Sequence, residues 1–198
     1  VTIATMTAAK KLPAPAPITW EEYEAAEGAT DERHEFLAGR MYAMAGATDN
    51  HNRIAGAIYG ELYLQLKGKK CEPFISDMKL KIALGADEFG YYPDVMVVCD
   101  PKGIHGTHVT KPTVIIEVLS DSTERIDRRE KRLTYQSIRS LEVYAVVDQP
   151  KAEVTLYRRS THWKGETVSG LKSTVKLPEI GADLTMDSIY SRVDWRKK

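Results

Sequence analysis

Apolar residues recur along this chain with two periods, and the change from one to the other marks its elements. Ile54, Ile58, Leu62 and Leu66 repeat every four residues, which predicts an amphipathic helix opening at Asp49 or Asn50 and stopped by Gly68. Thr19, with Glu22 three residues on, predicts a capping box for a short helix from Trp20 to about Glu27. Glu35-Phe36-Leu37 and Arg40 to Met44 flank Ala38-Gly39 as a hairpin would. From Phe74 to Ile82 the period is two: Met78, Leu80 and Ile82 share one face, and Asp77, Lys79 and Lys81 share the other, predicting one strand with a polar face. Gly85 to Gly90 reads as a turn and Asp100 to Pro112 as a loop, with the strand Val95 to Val98 between them. A strand from Val114 to Leu119 follows. Asp121 and Glu124 then predict a capped, charged helix running to about Ile138, and Leu141 to Asp148 a further strand. Val154 to Tyr157 with His162 to Val168, then Val175 to Leu177 and a short helix near Met186 to Tyr190, close the chain. This order predicts a mixed α/β protein whose central sheet is covered by helices.

Two acids interrupt the most apolar of these runs. Asp94 follows Pro93 at the head of Val95-Met96-Val97-Val98, and Glu117 stands inside Val114-Ile115-Ile116-Glu117-Val118-Leu119. Strands of that composition are buried, so each carboxylate needs a cation, a donor or a raised pKa. If both project from one sheet face, their oxygens suit a hard divalent cation, Mg2+ or Mn2+. The plainer alternative is structural: Glu117 in a buried ion pair and Asp94 capping a turn.

Composition narrows the choice. The 198 residues suffice for a single domain with its own core, and the segment 1–17, with Pro13, Pro15 and Pro17, reads as a flexible tail before a domain spanning 18–198. Lys plus Arg and Asp plus Glu both number 28, so any nucleic-acid-binding surface must be local. The densest basic cluster is Arg125, Arg128, Arg129, Lys131 and Arg132, either a backbone-binding face or a solvated helix face. Cys71 and Cys99 alone make no disulfide framework or cysteine zinc site, and a reducing cytoplasm is the expected compartment. His105 and His108, without a third ligand nearby, read as loop residues. No apolar stretch approaches the length needed to span a bilayer.

Taken together, Glu35-Phe36-Leu37-Ala38-Gly39, His51, Pro93-Asp94, Glu117-Val118-Leu119-Ser120, Ser122-Thr123, Asp127, Lys131, Tyr135 and the stretch Ile138 to Asp148 resemble the PD-(D/E)XK restriction-endonuclease-like nucleases, and among them the Uma-type endonucleases. The resemblance implies a restriction-endonuclease-like mixed central sheet flanked by helices, with an added N-terminal hairpin and C-terminal antiparallel strands. It implies Mg2+- or Mn2+-dependent hydrolysis of DNA phosphodiester bonds, with Asp94 and Glu117 as metal ligands. Leu119 departs from the superfamily pattern, since a lysine would stand there. The Uma-type branch carries its lysine in the following helix, which here is Lys131. Asp127, Lys131 and Tyr135 fall roughly on one face of that helix. Lys79 and Lys81 compete for the lysine role, being on the polar face of a neighbouring strand. Glu35, His51, Asp127 and Tyr135 are supporting candidates by the same resemblance, and Arg125, Arg128, Arg129 and Arg132 are candidate DNA contacts. Cleavage of a duplex further implies a homodimer. The rival expectation is an inactive nucleic-acid-binding or assembly protein that kept the fold.

Overall fold

The structure, a computed structural model, describes residues 16–44, 46–119 and 127–195, and of residues 127–129 the backbone only. Most of the expected tail and the expected Asp121–Glu124 capping box lie outside the described residues. In chain order the elements are α1 (Trp20–Glu27), β1 (His34–Leu37), β2 (Arg40–Ala43), α2 (Asp49–Leu66), β3 (Glu72–Ile75), β4 (Lys79–Leu84), β5 (Asp87–Tyr91) and β6 (Val95–Val98). They continue with β7 (His108–Val109), β8 (Val114–Val118), α3 (Asp127–Gln136), β9 (Val143–Val147), β10 (Glu153–Arg158), β11 (Gly165–Ser169), β12 (Thr174–Leu177), β13 (Ala182–Thr185) and α4 (Met186–Ile189).

The strands form a six-stranded sheet of order β11-β10-β9-β8-β6-β3, a five-stranded sheet of order β2-β1-β5-β4-β7, and a β12-β13 pair. The six-stranded sheet is mixed, because β8 runs parallel to β9 and antiparallel to β6. One of its faces presents Val95, Val97, Val114, Ile116 and Val118 to the α2 stripe Ile54, Ile58, Leu62 and Leu66, with β12, β13 and α4 completing that core. Each of those four helix side chains is buried, contributing roughly 1.5–3 kcal/mol. The other face presents Met96, Val98, Ile115 and Tyr144 to Leu80, Ile82 and Tyr91 of the second sheet and to Tyr135 of α3. The outer side of the five-stranded sheet is covered by α1, whose Trp20 and Tyr23 pack with Phe36.

The local chemistry of the first half follows expectation. Thr19 and Glu22 form the capping box of α1. The β1-β2 hairpin turns through Ala38 and Gly39, both at positive φ (46° and 86°). A Cβ at Gly39 would collide with Pro17 Cβ, and Ile18 N donates to Gly39 O at 3.0 Å, so the turn is also a seat for the chain entering α1. Gly39→Ala is expected to lower stability by about 1–3 kcal/mol, read from a thermal or denaturant melt.

Three expectations need correction. The alternating stretch from Phe74 to Ile82 is two strands in different sheets: β3 ends at Ile75, Ser76 turns at φ 41°, and β4 begins at Lys79. Phe74-Ile75 and Ser76-Asp77 are two like pairs in succession, so the alternation seen from Asp77 to Ile82 does not extend back through the turn. Between Gly85 and Gly90 only Gly85 and Ala86 turn, and Asp87 onward is β5 paired with β4. Finally, Cys71 and Cys99, expected in a reducing compartment, are paired. The antiparallel register Glu72↔Val98 sets residues 71 and 99 opposite one another, and they form a disulfide across a sequence separation of 28. One bridge is not a framework, and a reducing compartment would keep these two thiols free. Among the described residues no helix is long and apolar enough to cross a membrane.

Candidate active site

Strand register brings the two acids together. Val95 pairs with Ile116, so Asp94 and Glu117 extend the same ladder, and Asp94 N approaches Glu117 Oε2 at 3.4 Å. Side chains alternate along a strand. Since Val95, Val97, Ile116 and Val118 face α2, Asp94 and Glu117 face the opposite side, toward α3 and the second sheet.

Each carboxylate is held from two directions. Val118 N donates to Asp94 Oδ2 at 2.7 Å, and the same oxygen meets His51 Nε2 at 3.1 Å, from the first turn of α2. Tyr135 O–H donates to Glu117 Oε1 at 2.8 Å from α3. Lys131, one turn earlier on α3, reaches Glu35 Oε1 at 2.6 Å, and its Nζ lies 5.5 Å from the centre of the Tyr91 ring. Tyr91 in turn packs edge-on to Tyr135, with centroids 5.3 Å apart. Glu35, Asp94, Glu117, Lys131, His51 and Tyr135 therefore form one cluster, drawn from β1, the approach to β6, β8, α3 and α2.

The electrostatics reflect crowding of like charge under partial burial. Burial pushes the Glu117 carboxyl up to about 7; the Lys131 charge opposes this, Asp94 adds to it, the Tyr135 hydrogen bond opposes it, and Glu35 adds to it. For His51, burial favours the neutral ring, but the hydrogen bond and charge of Asp94, with the charge of Glu117, outweigh it and raise the pKa. Burial and the neighbouring Glu117 hold the Tyr135 phenol well above its ordinary range, so it acts as an O–H donor.

Among the described residues no group of three or more His, Cys, Asp or Glu side chains is arranged to hold a metal ion. The oxygen pair Asp94 and Glu117 suits a hard cation that retains several waters, Mg2+ or Mn2+, and does not suit a closed zinc site. The raised Glu117 carboxyl fits such an ion as well: two close, partly desolvated acids are the arrangement that a divalent charge neutralises.

Other predicted residues lie elsewhere. Lys79 and Lys81 are on the far side of the five-stranded sheet, because Leu80 and Ile82 take the side facing the carboxylates. Lys79 is only 6% exposed, with Nζ 4.6 Å from the Tyr23 ring centre and 3.6 Å from Glu24; burial lowers its pKa. Lys81 lies 4.4 Å from the Trp20 ring centre and pairs with Glu88 at 2.9 Å. Of the four candidate DNA-binding arginines, Arg132 stacks its guanidinium 5.0 Å over the Tyr157 ring and so faces the protein. Arg125 and the side chains of Arg128, Arg129 and Asp127 lie outside the described residues. His105 precedes the short β7 as a loop residue, whereas His108, expected in the loop, opens that strand; their rings stack, and His108 Nδ1 lies 3.6 Å from Glu24.

Sequence reasoning missed a supporting rim. Thr48, the N-cap of α2, accepts from His51 N and donates to Gln149 Oε1 at 2.8 Å, and Gln149 Nε2 donates to the carbonyl of Leu119. Thr48 went unread as a cap, the helix being expected to open at Asp49 or Asn50, and its partner 101 residues away left no local signal.

The model of the Uma2 family, described as "Putative restriction endonuclease", matches residues 20–187. An uncharacterized protein of Synechocystis sp. (strain ATCC 27184 / PCC 6803 / Kazusa), sll1609, is 37% identical over 145 residues, which cover 72% of this chain and 81% of that protein. A second from the same organism, slr1290, is 33% identical over 172 residues, covering 86% and 90%. A crystal structure from Anabaena variabilis ATCC 29413, described as "a putative nuclease belonging to DUF820", aligns with a TM-score of 0.68 over 88% of this chain and 98% of its own, at 17% identity, which is a likeness of fold. The hairpin with Glu35, the two acid-bearing strands and the lysine helix all fall inside the matched span, and the chain belongs to the Uma2 family.

Proposed function

We propose that this protein is a divalent-metal-dependent endonuclease that hydrolyses DNA phosphodiester bonds, with Asp94 and Glu117 as ligands of Mg2+ or Mn2+ and Lys131 as the cation facing the developing phosphate charge. The observation that carries this is the convergence of Asp94 and Glu117 from adjacent strands onto one sheet face, with α3 bringing Lys131 beside them. A bound divalent cation supplies Lewis acidity to the phosphoryl oxygen and acidifies a water. The chain's own part is placement. Val118 N–H and His51 fix Asp94, Tyr135 O–H fixes one oxygen of Glu117, and Glu35 holds the Lys131 ammonium close to the carboxylates. A fixed ammonium stabilises the transition state because it needs no reorganisation when charge appears. Two nicks in a duplex call for two such sites, and a homodimer supplies them.

Conversion of supercoiled plasmid to open circle in Mg2+ or Mn2+, stopped by EDTA, is the expected result. Density with manganese anomalous signal between Asp94 and Glu117 in a soaked crystal is the structural counterpart. No cleavage of plasmid, single-stranded DNA or RNA in either metal would remove the reading.

One observation favours a second reading, a protein that kept the fold without turnover: Lys131 with Glu35, and His51 with Asp94, are already internal pairs. Metal-free melts separate the two. Asp94→Ala and Glu117→Ala raise the melting temperature if the acids repel across a cation site, and lower it strongly if they serve as ion-pair partners.

A further inference from the structure

We infer that Glu27 is a positioning residue for the candidate metal site, fixing from one buried carboxylate both chain segments that deliver Glu35 and Asp94. The inference rests on the metal-site reading of Asp94 and Glu117. Glu27 is the last residue of α1 and is 6% exposed. An acid at a helix C-terminus opposes the helix dipole, and a buried one must be satisfied, so its presence there requires a compensating set of donors. The structure supplies three. His34 N donates to Oε1 at 3.0 Å, Tyr92 O–H donates to the same oxygen at 2.9 Å, and His34 Nδ1 stands 3.0 Å from Oε2. Tyr23 O–H, one turn earlier on α1, donates to the His34 carbonyl at 2.7 Å.

The donors' places in the chain are what matter. His34 immediately precedes Glu35, the partner of Lys131, and Tyr92 stands two residues before Asp94, joined through Pro93. Glu27 thereby ties β1 to the segment entering β6, although β1 pairs with β5 and β6 belongs to the other sheet. Within a rigid backbone, a carboxylate that fixes residues 34 and 92 also fixes where 35 and 94 project. Outer hydrogen bonds of this kind typically alter metal affinity by about 10–100-fold.

Mn2+ titration calorimetry on the full chain tests this, with melting temperatures measured alongside. Glu27→Ala is expected to weaken Mn2+ binding about 10-fold or more. Glu27→Gln, whose amide oxygen still accepts from His34 N–H and Tyr92 O–H, is expected to bind within about 2-fold of the native chain. Native-like affinity in Glu27→Ala, even with a lowered melting temperature, overturns the inference, because a merely structural acid would behave so. If Glu27→Ala does not fold, Tyr92→Phe deletes one hydrogen bond and keeps the ring, and is expected to weaken Mn2+ by roughly 3–10-fold; no change overturns the inference. Should the native chain bind no Mn2+, the metal reading itself fails, and a crystal structure of Glu27→Ala decides the positioning role. Asp94 displaced from Val118 N–H, with Glu35 displaced from Lys131, upholds it; both contacts unchanged overturns it.

Discussion

Lys131→Met is expected to lower metal-dependent nicking about 10²–10³-fold while Mn2+ binding persists, whereas Asp94→Ala removes both. The two results separate the roles that the geometry suggests. In the proposed site Asp94 would present an oxygen to the ion, so its loss would remove the ion. Lys131 Nζ pairs with Glu35, so in the proposed site its loss would leave the acids in place and take away the charge facing the phosphate. A complication is built into the pair: with side chains 18% and 13% exposed, Lys131 and Glu35 are largely out of water, and deleting one strands the other. The double variant Lys131→Met/Glu35→Gln removes that penalty. If it recovers the melting temperature but not the nicking rate, Lys131 acts on the reaction. Recovered nicking would mean that the lysine merely neutralises Glu35. Equal nicking by Lys131→Met and the native chain would end its candidacy.

The second large effect is on stability against pH in the absence of metal. Glu117 titrates in the folded protein at about 7, against an ordinary value of 4.5. A raised folded value means that the fold prefers the protonated acid. The stabilisation is complete below about pH 4.5 and is lost as pH rises through about 7, amounting to some ~3 kcal/mol in all. His51 contributes with the same sign, since its raised pKa favours the protonated ring that faces Asp94. In EDTA, denaturant melts are thus expected to show stability falling between pH 5 and 8, and Glu117→Gln should flatten most of that slope. Divalent cation should reverse it, because ion binding drives the proton from Glu117 and gains most where the proton is already gone. Stability that climbs from pH 5 to 8 in EDTA, or a Glu117→Gln slope equal to the native one, would mean that Glu117 is ionised and paired in the fold.

Much of the site could be read from the letters because burial makes acids conspicuous. Asp94 and Glu117 stand out in runs of Val, Ile and Met, and the antiparallel register of the structure sets them side by side, which the letters only allowed as a supposition. Lys131 and Tyr135 came from the family resemblance, with helical spacing setting them on one face, and in the structure α3 carries Lys131 to Glu35 and Tyr135 to Glu117. Lys79 and Lys81 show the limit of the same logic. Their alternation was read as a polar face near the acids, but α1 covers that face, and Trp20, Tyr23 and Glu24 take up the charges. Alternation says that two faces differ; it cannot say which neighbour each one meets. Glu27 went unremarked for a related reason: on a short helix rich in Glu it looks like any solvated acid, and only the fold encloses it beside Tyr92 and His34.

The sequence by itself determined most element types, the capping box of α1, the hairpin turn at Ala38-Gly39, the stripe of α2 and the pair of strand acids, because each of these depends on residues within about one or two turns of each other. Only the tertiary structure decided that the strands divide into two sheets, that Cys71 meets Cys99, that Glu35 holds Lys131, and that Glu27 grips both approaches to the site. Those contacts join residues that are tens of positions apart. Their energies arise from packing and desolvation shared by several elements at once, and no local pattern of side chains encodes them.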